Sequence, residues 1–206
     1  FLSAIVPEVL LAGYLLSQRR LPGGHDGFQF FTLQYYFLNH VVQTGEIPQW
    51  VPFMTHGTVA TWWYAIQGGF LQNILLLSGN LLRNFNFLTV FHLNILVDQL
   101  VFLAGTWLFA RKLSASLCTC WFVTVAVLGS CVWIIQPWYN FHFYYALPLI
   151  LFMLHCFLDT QKWRYLFFAG NLFALQTLGA LPYFLPVTSL TLFLYALFYS
   201  LFNFLE

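Results

Sequence analysis

The sequence predicts an all-α integral membrane protein: a polytopic bundle of about six transmembrane helices, with a long extracytoplasmic first loop carrying an amphipathic interfacial helix. Three observations predict it. Of the 206 residues, 61% are hydrophobic and only 6% charged, whereas a soluble surface needs about a quarter of its residues charged. Apolar runs close to the ~20 residues that cross a hydrocarbon core recur through the second half of the chain. Trp and Tyr gather near the ends of those runs, at Trp133, Trp138-Tyr139, Tyr144-Tyr145 and Trp163, as amphipathic rings do at a membrane–water boundary. A net charge of +1 provides no basic field and excludes nucleic acid as a partner. Membrane lipids are the expected surroundings.

Residues 1–16 read as a first span, 17–86 as an extracytoplasmic loop with interfacial helices, and 87–205 as five further spans, all within one transmembrane domain. The five are Phe87–Ala110, Ala115–Ile135, Phe141–Leu158, Trp163–Leu181 and Val187–Leu205. Trp62–Leu82 is apolar and aromatic but broken by Gln67-Gly68-Gly69 and Gln72-Asn73, so it reads as interfacial or re-entrant rather than as a crossing. The chain opens at Phe1 and stops at Glu206, both at the edge of apolar runs, and is expected to be a segment of a longer protein. Arg111-Lys112 and Lys162 with Arg164 lie in short connections, whereas Gln136–Asn140 and Pro182–Pro186 carry no Lys or Arg. The excess of Lys and Arg in cytoplasmic loops therefore puts both basic connections in the cytoplasm and the 17–86 loop outside.

That loop is the one long stretch that is not a plain span. It begins with the turn Gly23-Gly24-His25-Asp26-Gly27, continues as an aromatic run from Phe28 to Gln43, and ends in Gly45-Glu46-Ile47-Pro48-Gln49-Trp50-Val51-Pro52-Phe53. The two prolines keep this last part out of regular helix, since each lacks a backbone donor and disfavours helix in its predecessor. Asp26 is flanked by small residues, so its carboxylate is open to act as a general base or to hold a divalent cation. It reads equally as the N-cap of a helix starting near Gly27, because Asp caps well and its charge suits the helix dipole. His25, His40, Glu46, His56 and His142 share the same face. Their spacing matches no diagnostic metal pattern, and solvated loop histidines are the simpler reading.

Inside the spans, Glu8, Asn94 and Asp98 stand out as intramembrane polar residues. A charge at bilayer depth is costly and faces a bundle interior or a cavity. Asn94 and Asp98 are four apart and share a helix face, where an interhelical hydrogen bond, with Glu8 among the candidate partners, is preferred over a proton path. Asn171 and Gln176 are further candidate contacts in the same bundle. His92 with His142 at similar depth leaves a bis-His haem site open; His92 and His155 lie at opposite depths. Cys118, Cys120, Cys131 and Cys156 lie in apolar runs and read as small hydrophobes.

The order of an acidic residue soon after the first span (Gly24-His25-Asp26-Gly27), an aromatic surface helix, and the phrase Gly45-Glu46-Ile47-Pro48-Gln49-Trp50-Val51-Pro52-Phe53 followed by Gly57 resembles the large bacterial membrane proteins of the YfhO type. More broadly it is similar to the GT-C superfamily of polytopic glycosyltransferases. The resemblance covers roughly the first third of the chain. It implies a bacterial cytoplasmic (inner) membrane protein that transfers a sugar from a polyprenyl-phosphate-linked donor at the extracytoplasmic face. Catalysis would fall to Asp26, with His25 beside it, and substrate binding to Glu46, Trp50 and His56. Val51 stands where related loops often have Asn, and no second acidic residue accompanies Asp26. The alternative expectation is a non-catalytic membrane subunit that scaffolds a larger complex with other membrane subunits through its aromatic-rich helices.

Overall fold

A computed structural model describes residues 2–18, 27–46, 48–52, 58–59, 86–113, 116–128 and 145–205. The fold is helical: α1 (Leu2–Gln18), α2 (Gly27–Thr44), α3 (Phe87–Lys112), α4 (Leu117–Leu128), α5 (Leu147–Thr160) and α6 (Trp163–Leu205). Between α2 and α3, β1 (Trp50–Val51) and β2 (Thr58–Val59) form a minimal antiparallel pair, with Trp50 opposite Val59 and Val51 opposite Thr58. Two helical segments, α3 and Leu185–Phe204 within α6, are long and apolar enough to cross a membrane.

Local chemistry sets several of these boundaries. Asn86 is extended, and its side chain accepts the Leu88 N–H at 3.0 Å, satisfying one of the donors that a helix start leaves unpaired. At the far end of α3, Arg111 and Lys112 occupy the last turn, where cations suit the helix dipole. Gly45 ends α2 with φ 75°, the left-handed conformation that glycine adopts without steric cost; its N–H still reaches the Val41 carbonyl at 2.8 Å. α5 carries a proline in its first turn, where no intrahelical donor is lost. It closes at Gln161, whose N–H bonds the Phe157 carbonyl at 2.7 Å.

Contacts along α3 and α5 fix their register. Val101 packs against the buried cluster of Tyr145, Ala146, Ile150 and Ala169. Gly105 abuts Leu149, the Phe109 ring meets the His155 ring with centroids 6.3 Å apart, and Lys112 Nζ lies 2.5 Å from Asp159 Oδ2. Both numberings rise together, so α3 and α5 are parallel. α4 leaves the end of α3 after a short connection and packs back along it, the antiparallel arrangement such connections impose. The indole of Trp121, near the start of α4, donates to Ser3 Oγ at 3.0 Å, which places the beginning of α1 at this same end. Arg111, Lys112, Lys162 and Arg164, all the Lys and Arg among the described residues, therefore share one end of the bundle.

α6 departs from expectation. The predicted break at Pro182–Pro186 is not a loop, since the helical stretch runs on from Trp163 to Leu205. It is not straight either. At a rise of about 1.5 Å per residue, Tyr199 would stand about 54 Å from Trp163 in a straight helix. Yet Tyr199 bonds Asp159, four residues before Trp163, while Gln176 bonds Ala146 at the opposite end of α5. α6 thus consists of two limbs that reverse between Gln176 and Thr188, the first antiparallel to α5 and the second parallel to it. Pro182 and Pro186 each remove a backbone donor from the reversing stretch, which is the usual origin of a sharp helix bend.

α5 also corrects the predicted 141–158 span. It begins at Leu147, after a turn at Tyr145-Ala146, because a proline at its second position favours a helix start there. At 14 residues it is about 21 Å long. α1 and α2 lie close to their expected positions, with α1 ending at Gln18 and α2 beginning at Gly27. Trp62–Leu82 lies outside the described residues.

The α3–α5 approach generates a test. A Cβ at Gly105 would sit 2.6 Å from the Leu149 backbone nitrogen, and a helix backbone cannot yield as a flexible side chain does. Gly105→Ala is expected to destabilise the protein by about 1–3 kcal/mol despite the better helix propensity of Ala. Gly170→Ala, where a Cβ meets nothing within 4 Å, should be neutral or slightly stabilising. Thermal unfolding of the two variants in the same detergent checks the contrast, and equal midpoints would refute the close approach.

Candidate functional site

The end of the bundle opposite the basic residues carries a platform built from the first-loop sequence. Leu33, Phe37 and Val51 are buried together, with Tyr36 packed against them. Because these α2 positions recur at helical spacing, one face of α2 covers the hairpin strand. The Tyr36 hydroxyl donates to the Trp50 carbonyl at 2.6 Å, fixing the strand across the helix. On its N-terminal half, α2 meets the start of α3: the Phe31 ring lies 5.1 Å from Phe87 and 5.3 Å from Phe91, centroid to centroid, and Tyr35 lies 5.2 Å from Phe87. Edge-to-face packing of this kind adds about 0.5–1.5 kcal/mol per pair beyond burial. These rings hold the platform to the first turns of α3.

Two predicted site residues stand on this platform. Glu46 is exposed just past the Gly45 turn, its N–H bonded to Thr44 Oγ1 at 3.1 Å. Trp50 is 51% exposed, so its carbonyl is held while its indole is open to solvent. His40 lies one helical turn beyond Tyr36, with ring centroids 6.1 Å apart. His25, Asp26, His56 and His142 lie outside the described residues, as does the side chain of Glu8. Among the described residues no three His, Cys, Asp or Glu side chains gather closely enough to hold a metal ion.

Asn94 and Asp98 occupy the interior, at 3% and 0% exposure. Gln176 is fully buried, its Oε1 accepting the Ala146 N–H at 3.0 Å, and that bond satisfies a donor at the start of α5. It is a buried polar contact between the start of α5 and the first limb of α6. Asn171 does not belong to it: it is exposed and donates to the Phe167 carbonyl of its own helix at 2.8 Å. His92 and His155 sit near opposite ends of the bundle and form no common ligand site. Cys118, Cys120 and Cys156 are free thiols.

The strongest polar network lies at the basic end, around Asp159, which sequence reasoning did not single out. Asp159 accepts from Lys112 and from the Tyr199 hydroxyl. His155 Nε2 stands 3.5 Å from the same carboxylate, while its Nδ1 shares a 2.6 Å hydrogen bond with Tyr195. Three helical segments are tied by one carboxylate. The Lys112 hydrogen bond, and then the Tyr199 hydrogen bond, hold the Asp159 carboxyl below the usual carboxylate range. No family model, curated protein or solved structure matches this chain.

A depressed pKa in the folded state stabilises the fold above the unfolded value, near 3.9, and that contribution is lost as pH falls toward the folded value. Asp159→Asn is therefore expected to lower stability at pH 7 by about 0.5–1 kcal/mol. The difference should vanish as pH falls below about 4. Unfolding midpoints of both proteins across pH 3–8 provide the check, and a gap that persists unchanged into acid would show that Asp159 acts by packing alone.

Proposed function

We propose that the chain is a polytopic protein of the bacterial cytoplasmic membrane and a GT-C-like glycosyltransferase, using a polyprenyl-phosphate-linked sugar at the extracytoplasmic face. One observation carries the reading. The platform of α2 and the β-hairpin, which bears the residues of the family resemblance, sits at the end of the bundle opposite all the described Lys and Arg. Since cytoplasmic loops carry the excess of Lys and Arg, that platform faces outside, where lipid-linked sugars are used. In this reading Asp26, immediately before α2, is the general base that takes the proton of the acceptor hydroxyl, with His25 beside it. Glu46 and Trp50 line the substrate side of the platform with His56; the open indole face of Trp50 is suited to a sugar ring.

A second reading, a non-catalytic subunit of a membrane complex, is favoured by the second limb of α6. Phe193, Phe198, Phe202 and Phe204 are 63%, 54%, 68% and 88% exposed, a broad aromatic surface that suits partner helices as well as lipid.

Two experiments test these proposals, the first their orientation and the second the choice between them. In intact cells, a membrane-impermeant maleimide should label a cysteine introduced at Glu46 and leave one introduced at Lys162 unlabelled until the membrane is opened; the reverse pattern would overturn the orientation. In membranes supplied with a panel of lipid-linked sugars, Asp26→Asn should reduce transfer by about a hundredfold or more, the usual contribution of a general base. Full transfer by that variant removes Asp26 from catalysis. A wild-type protein that transfers nothing and purifies in fixed stoichiometry with other membrane subunits supports the scaffold instead.

A further inference from the structure

A groove of about 380 Å³ opens between α5 and the two limbs of α6, lined by Leu154, Leu166, Gly170, Phe173, Phe193 and Ala196 among others. Its walls are apolar apart from Ser189. Gly170 leaves it open, since a Cβ there would meet nothing within 4 Å. Toward the basic end, the same face of the first limb continues one turn from Leu166 to Lys162, whose carbonyl accepts the Tyr165 N–H at 3.0 Å and so belongs to the first turn of α6. Lys162 is exposed, as are Trp163 at 74% and Arg164, whose guanidinium carbon lies 5.0 Å from the Tyr165 ring centre.

Length and charge identify an occupant. From Lys162 to Phe173 the helix rises about 16 Å, close to half of the ~30 Å hydrocarbon core. The groove and its mouth therefore match one leaflet: cations and an interfacial Trp at the surface, and an apolar channel down to the midplane. The start of α6 adds the positive end of its helix dipole, which favours negative charge. At this end the described residues contain Arg111, Lys112, Lys162 and Arg164 against the single carboxylate of Asp159. That carboxylate is taken up by Lys112 and Tyr199, so it does not neutralise Lys162 or Arg164.

We propose that this groove holds one acyl chain of an anionic phospholipid from the leaflet on the basic side, with its phosphate at Lys162, Arg164 and the start of α6. The proposal rests on the membrane reading above. A polybasic mouth favours an anionic head over a zwitterionic one, and the groove supplies a tail site that a flat helix surface lacks. Bound there, the lipid would join α5 to both limbs of α6 and brace the reversal.

Native mass spectrometry of the full chain, released from membranes of mixed phosphatidylglycerol and phosphatidylcholine, tests it. The wild type is expected to retain one lipid, with about a thirtyfold preference for phosphatidylglycerol, in keeping with two basic residues near an anionic surface. Lys162→Gln with Arg164→Gln should bring the preference to parity while a lipid is still retained. Gly170→Leu, which the open space at Gly170 accommodates, should remove the retained lipid while leaving the unfolding midpoint of the delipidated protein unchanged. Equal retention of the two lipids by the wild type, or undiminished retention by Gly170→Leu, would overturn the site. A membrane-integrated chain that retains no lipid refutes the site alone, whereas a chain absent from the membrane fraction refutes the membrane reading as well.

Discussion

The rest of the bundle depends on the parallel pairing of α3 and α5. Gly105 lets the two backbones approach until a single methyl group would collide with Leu149, and at that distance sliding one helix past the other is blocked. A polar contact then pins one end of the pair, where Lys112 meets Asp159. A shift of one turn would part these two groups. Burying a polar group without a partner costs several kcal/mol, so such a contact helps select the register even though its net contribution to stability is small.

α6 is organised by that pair. Its first limb returns along α5 to deliver Gln176 to the Ala146 N–H, and its second limb comes back to deliver Tyr195 and Tyr199 to His155 and Asp159. The first limb also meets α5 at its start, where the Trp163 ring lies 5.4 Å from the Phe157 ring, centroid to centroid. Ala169 and Gly170 on the first limb and Ser189 and Ala196 on the second line the open groove together with the larger Phe173 and Phe193. The same small residues that let helices pack closely elsewhere here leave space, because the facing positions on the second limb do not fill it.

Helix starts and ends with a local cause were legible in the sequence. Asn86 before α3, Gly45 after α2 and the basic pair closing α3 each act within one turn and so carry a local signal, although the expected boundaries rested on the apolar runs alone. The shared location of the two basic connections was legible too, from the alternation of apolar runs. Asp159 was not, because its partners lie 47 residues before it, at Lys112, and 40 after it, at Tyr199, and nothing local marks a carboxylate that three helical segments will surround. The start of α5 was placed too early because the aromatic residues before Leu147 extend the apolar run, and hydropathy does not distinguish a turn from a helix. In α6, Pro182 and Pro186 correctly marked a reversal, but helicity persists across it. Proline removes a donor without dictating whether the chain bends within a helix or leaves it.

The two ends of the molecule are built by different means, and this bears on what each can do. The basic end is closed by charge and hydrogen bonds that converge on Asp159 and hold three helical segments rigidly together. The opposite end is assembled from aromatic edges, with Phe31 and Tyr35 on Phe87 and Phe91, and from the hydrogen bond of Tyr36 to a strand of two residues. Such contacts are non-directional compared with an ion-pair network and tolerate small displacements. The described contacts therefore make the Asp159 network the more directional frame and leave the face that carries Glu46 and Trp50 held mainly by ring packing.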